Sequence, residues 1–118
     1  MGSNELPDFN DMSQAIDQIV AYKKELGLLK LSIESLEAEV IRKVTTDPAF
    51  FRDGKVLSMN LIESTYKHTG INGEIIPLRE LEVDYSTKLK KWELTFEMYK
   101  MMIDVWKTEV YQQRVTAL

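Results

Sequence analysis

Histidine occurs once in this chain, at His68, and cysteine does not occur at all. Catalytic or metal chemistry must therefore be sought in carboxylates and hydroxyls around a single imidazole. His68 falls near the end of a short helical stretch, where the helix dipole favours a cation. It has no cysteine and no second histidine with which to form a nucleophilic pair or a metal site, so a capping or surface role outweighs a catalytic one. Glu34, Glu37 and Glu39 crowd one stretch, but helical di-metal sites draw Glu-x-x-His from facing helices, and that pattern is absent. These glutamates read as a solvated face. Gly70-Ile71-Asn72-Gly73 is too short and too polar for a phosphate cradle, and neither a P-loop nor a dinucleotide fingerprint is present. Ser58, Ser64 and Thr65 have no basic partner nearby in sequence. The expectation is a chain with no catalytic residue, no metal and no cofactor.

The lysines are the remaining chemistry. Lys88, Lys90 and Lys91 cluster beside Trp92, and Lys23, Lys24 and Lys30 lie midway along the first helical stretch. Repeated cations among exposed aromatics are what binders of single-stranded nucleic acid use, which makes these six residues the candidate nucleic-acid contacts. The charge balance argues the other way. The net charge is −4, with about −5 in residues 1–41, about +1 in 42–77 and about 0 in 78–118, whereas a phosphate-binding protein is normally basic. A solvated charged face is the weightier reading. Without cysteine, neither disulfides nor sulfur-based zinc sites are expected. The first residues lack the basic and apolar stretches of a secretory signal, and no run of 18 apolar residues occurs, so a cytoplasmic location and no membrane partner are expected.

The elements that carry these residues are read from periodicity. Residues 1–10 contain Pro7 and little pattern, and are expected to be a flexible tail ahead of one helical domain over 11–118. From Met12 the apolar residues follow a 3-then-4 spacing through Ala15, Ile19, Tyr22, Leu26, Leu29, Ile33, Leu36 and Val40, which is four heptads without a break. This predicts a helix over 12–45, capped by Asp11 or Ser13 and ended before Asp47-Pro48. Residues 46–57 read as a connector, with a very short hairpin about Asp53-Gly54. A short helix is expected over 58–68, started by Ser58 or Asn60 and stopped at Gly70, with a second turn at Asn72-Gly73. A long helix over 75–116 follows, with Pro77 tolerated in its first turn.

The last helix carries two stripes. Leu89, Trp92, Phe96, Tyr99, Ile103, Trp106 and Val110 form a heptad seam rich in aromatics. With Leu26, Leu29, Ile33 and Leu36 it should form the seam of an antiparallel hairpin. Leu94, Met98, Met101 and Val105 form a second stripe roughly opposite. A helix with one packing partner needs one stripe, so the second is expected to be an oligomer interface. The alternative is that Met59, Leu61, Ile62 and Tyr66 of the short helix cover it.

This order of elements, and the segment from Leu57-Ser58-Met59-Asn60 to Arg114 with Met102-Ile103-Asp104-Val105-Trp106-Lys107-Thr108-Glu109, resembles small phage-encoded helical proteins, in particular the UvsY-type recombination mediators. That resemblance implies a ring-forming oligomer that assists a recombinase on single-stranded DNA. Helix, short hairpin and helix is also similar to a β-type prefoldin subunit, a chaperone component, although 57–73 reads as helix rather than strand. The expected fold is all-α, a long coiled-coil-like antiparallel hairpin with a short middle helix, oligomeric through its last helix. The expected function is a non-catalytic interaction or assembly module of the kind phages and mobile elements encode. Its partners would be a second copy of itself, another protein, or, less favoured, single-stranded DNA.

Overall fold

The computed structural model describes residues 6–117, and these form two long helices that pack antiparallel, joined by an irregular segment containing a short helix. No described helix is long and apolar enough to cross a membrane.

Helix α1 spans Phe9–Thr46. It starts three residues before the expected Met12, because Asp8 rather than Asp11 or Ser13 caps it. The Asp11 amide donates to Asp8 Oδ1 at 2.8 Å, and the Asp8 amide donates to Asp11 Oδ2 at 3.0 Å. This reciprocal arrangement is that of a capping box, and it satisfies amides that have no partner within the helix. Of the expected tail, residues 1–5 lie outside the described residues, while Pro7 is buried and residues 9 and 10 are already helical. The helix ends at Thr46, where Asp47 accepts from the Ala49 amide at 3.0 Å and opens a 3₁₀ turn over Pro48–Phe50.

The expected hairpin contracts to one bridge. Arg52 and Lys55 exchange both backbone hydrogen bonds, at 2.9 and 3.0 Å, across Asp53-Gly54. Both turn residues have positive φ, as a two-residue hairpin loop of this kind requires. Phe50 and Phe51 take no part in a ladder, because the 3₁₀ turn claims their amides.

Helix α2 spans Met59–Ile62, and a π-helical turn continues it over Glu63–Lys67. Ser58 is its cap, accepting from the Leu61 amide at 3.3 Å; Asn60 lies inside the helix. Gly70 ends the segment with φ of 90°. Helix α3 spans Ile76–Ala117.

The chain divides into two compact units. The core unit, Lys24–Ser86, holds the later part of α1, α2, both loops and the start of α3. Its centre is Leu29, Ile33, Val40 and Ile75, with Leu36, Tyr66, Ile71, Leu78 and Tyr85 packed around them. Ile62, Ile75 and Val44 are at most 1% exposed. Phe50 meets Tyr66 edge to face at 5.9 Å. The two-helix unit contains α1 as far as Lys23 and α3 from Thr87. Among its described residues only Pro7 and Ala15 are buried, while Met12, Ile19, Tyr22, Leu89, Trp92, Phe96, Tyr99, Met102, Ile103 and Val110 are half-buried.

Candidate interaction surface

Successive residues of a helix are rotated by about 100°, so positions two apart differ by about 200°. The seam residues Trp92, Phe96, Tyr99, Ile103 and Trp106 and the stripe Leu94, Met98, Met101 and Val105 are offset by two. They therefore occupy opposite faces of α3, both with heptad spacing. On the seam, Trp92, Phe96, Tyr99 and Ile103 are half-buried, as two helices alone permit. Trp106 is a correction to the expected seam, because 47% of its surface remains exposed.

The second stripe is open. Leu94, Met98, Met101 and Val105 are 48–66% exposed. The short helix does not cover them. Its Ile62 is buried and its Tyr66 packs on the cluster of the core unit, while Met59 is itself exposed. The borders of the stripe are charged. Lys90 and Lys91 stand at its N-terminal end and Glu109 at its C-terminal end, all exposed. Near the middle, Glu97 holds Lys100 at 3.1 Å, and the same ammonium lies 5.5 Å from the centre of the Phe96 ring.

The six candidate nucleic-acid lysines are all exposed, but they do not align. On α3, Lys88, Lys90 and Lys91 point in directions 60–160° apart by helical rotation, and on α1 Lys24 points about 100° from Lys23. Only Lys23 and Lys30 share a direction.

Glu34 and Glu39 are exposed as a solvated face should be, whereas Glu37 is half-buried. Glu37 forms an ion pair with Arg79, whose Nε also donates to the His68 carbonyl at 2.7 Å. This pairing, 42 residues apart in the chain, left no trace in the sequence pattern. Among the described residues no group of three or more His, Cys, Asp or Glu side chains is placed to hold a metal ion.

Among the described residues, the loop at Gly70–Glu74 holds a carboxylate arrangement that sequence reasoning missed. The amides of Ile71 and Asn72 converge as an oxyanion site would, but the Glu74 carboxylate fills that position, at 2.9 and 2.6 Å. The Ile71 hydrogen bond, then that of Asn72, holds this carboxyl below the usual range, since both favour the charged form. A recess of about 530 Å³ beside it is lined by Leu36, Val40, Arg42 and Lys43. The signal that would have found this loop is a glutamate four residues after a glycine at a helix stop.

Set against known protein families, curated proteins and solved structures, the chain matches none of them.

Proposed function

We propose that this chain is a non-catalytic assembly module that joins a second copy of itself through the outer face of α3. One observation carries the proposal: four apolar side chains at heptad spacing stay exposed on the face of α3 opposite its intramolecular seam. Surface leucines scattered singly are ordinary, but a periodic row of four on one helix is the pattern of a packing seam that lacks its partner. Methionine at the two central positions suits such a surface, being unbranched and polarizable. The splayed lysines and the acidic net charge support this reading over one in which single-stranded DNA is the ligand.

The test is solution mass by size-exclusion chromatography with light scattering at two protein concentrations. The wild type should exceed the 13.7 kDa of one chain. Met98→Asp with Met101→Asp should run at one chain mass while keeping its helical circular dichroism, because it places carboxylates where an apolar layer would be desolvated. A wild type of one chain mass at both concentrations would remove the proposal. A double mutant that unfolds would make the stripe part of the monomer's own core.

A further inference from the structure

We infer that the second copy packs antiparallel on α3, about a two-fold axis that passes between Met98 and Met101. This inference rests on the self-association proposed above and adds its direction and register.

The stripe is self-complementary in that direction. In the heptad frame Met98 and Val105 occupy a positions, and Leu94 and Met101 occupy d. Antiparallel helices place a beside d of the other chain. With the axis between Met98 and Met101, Met98 shares a layer with the second copy's Met101, and Leu94 with the second copy's Val105. The two-fold repeats both, giving four apolar layers. The next layer outward on each side joins Lys91 to Thr108, both exposed. Slipping by one heptad would leave two apolar layers and drive Lys91 against an apolar residue of the second copy, either Met101 or Val115, without a partner for its charge.

Charge then selects the direction. Parallel packing also gives four apolar layers, but it sets Lys91 beside its own copy in the core and Asp104 beside Glu109. Antiparallel packing sets Lys91 beside the second copy's Glu109, within about one residue of rise, and the two-fold makes the pair at both ends. Glu97 comes beside the second copy's Asp104, a like-charge contact that offsets the Asp104–Glu109 contact of parallel packing, so the direction is decided by Lys91, although Glu97 is also answered by Lys100 at 3.1 Å. Opposite charges at the two ends of one stripe are thus matched only when the helices run in opposite senses.

The absence of cysteine allows a direct test. Lys91→Cys and Thr108→Cys are made singly in the full chain, one of them mass-labelled, then mixed, allowed to exchange and mildly oxidised. Residues that share a layer lie within disulfide reach. The expected result is a mixed disulfide between Lys91→Cys and Thr108→Cys, with Thr108→Cys alone remaining free thiol. In the antiparallel register the two copies of residue 108 are about 26 Å apart along the axis, at 1.5 Å per residue. A disulfide dimer of Thr108→Cys alone would overturn the inference in favour of parallel packing while leaving self-association standing. An oligomer in light scattering with neither disulfide would also overturn it, and would place the contact elsewhere. A wild type of one chain mass would remove both this inference and the reading beneath it.

Discussion

The core unit and the two-helix unit are built from the same two helices with the same heptad spacing, yet they bury side chains to different degrees. In the core unit, Leu26, Leu29, Ile33, Val40 and Val44 of α1 are all buried. In the two-helix unit the corresponding positions Met12, Ile19 and Tyr22 are half-buried, and only Ala15 disappears from solvent. The seam is not the difference. The core unit has a third wall, made by Ile62, Tyr66, Ile71 and Ile75 from α2 and the loops. Two helices can cover one stripe of each other but leave its flanks open, and closing those flanks takes another element. Among its described residues the two-helix unit shows none, and it is also where α3 displays its exposed stripe. The buried core and the exposed apolar stripe are therefore divided between the two regions.

The strongest way to break this comparison is to remove one side chain from each region. Ile33 lies within the buried cluster, and Ile33→Ala should cost about 2–5 kcal/mol through lost burial and the cavity left behind. Leu94→Ala, on the exposed stripe, should change stability by no more than about 0.5 kcal/mol at concentrations where the chain is a monomer. Urea denaturation of both variants, followed by circular dichroism, gives the two values. Equal costs in dilute solution would mean that the stripe is already core and that the two regions do not differ as described.

The helices themselves were legible in the sequence because periodicity is local. The run from Met12 to Val40 fixed the buried face of α1, and the same reasoning separated the two faces of α3. Depth of burial was not legible, because it depends on which third element arrives. Nothing in the heptads distinguished Trp92 from Trp106, and only the latter is left half in solvent. The cap was misplaced by three residues because Asp8 and Asp11 are both good caps, and their reciprocal bonds decide between them. The Glu37–Arg79 pair depends on how the connector folds back, which no spacing rule encodes, whereas the Glu74 carboxylate on the Ile71 and Asn72 amides is a local contact that the Gly70-to-Glu74 spacing could have signalled. The antiparallel hairpin was visible, then, while its third wall was not.

That third wall hangs on a loop, and a smaller effect sharpens its role. Gly70 has φ of 90°, and a Cβ there would lie 2.5–2.8 Å from the Glu74 carboxyl. Gly70→Ala should cost about 1–3 kcal/mol for the left-handed backbone, and it must also displace the carboxylate from the two amides. Acidification probes the same contact. A carboxyl whose folded value is depressed contributes stability above its unfolded value and loses it as pH falls through the lower folded value. Wild-type stability should therefore decline on acidification more steeply than that of Glu74→Gln, which lacks the contribution at every pH. Parallel pH profiles of the two proteins would show that the Glu74 carboxylate does not hold the loop.

The smallest expected effect is a gain. Gly27 lies inside α1, in the core unit, yet a Cβ placed on it meets nothing within 4 Å. Its achiral backbone serves no close approach and no positive φ, so it costs the helix the usual conformational penalty and returns no packing. Gly27→Ala should therefore stabilise the monomer by about 0.5–1 kcal/mol. The self-association constant should stay unchanged, because position 27 belongs to the core unit and the proposed interface to the other. Thermal denaturation and light scattering on the same samples separate the two quantities. A stability gain together with weakened association would mean that the bare backbone at Gly27 is itself a contact between copies. The division of labour between the two units would then fail at that position, since a residue of the core unit would be taking part in assembly.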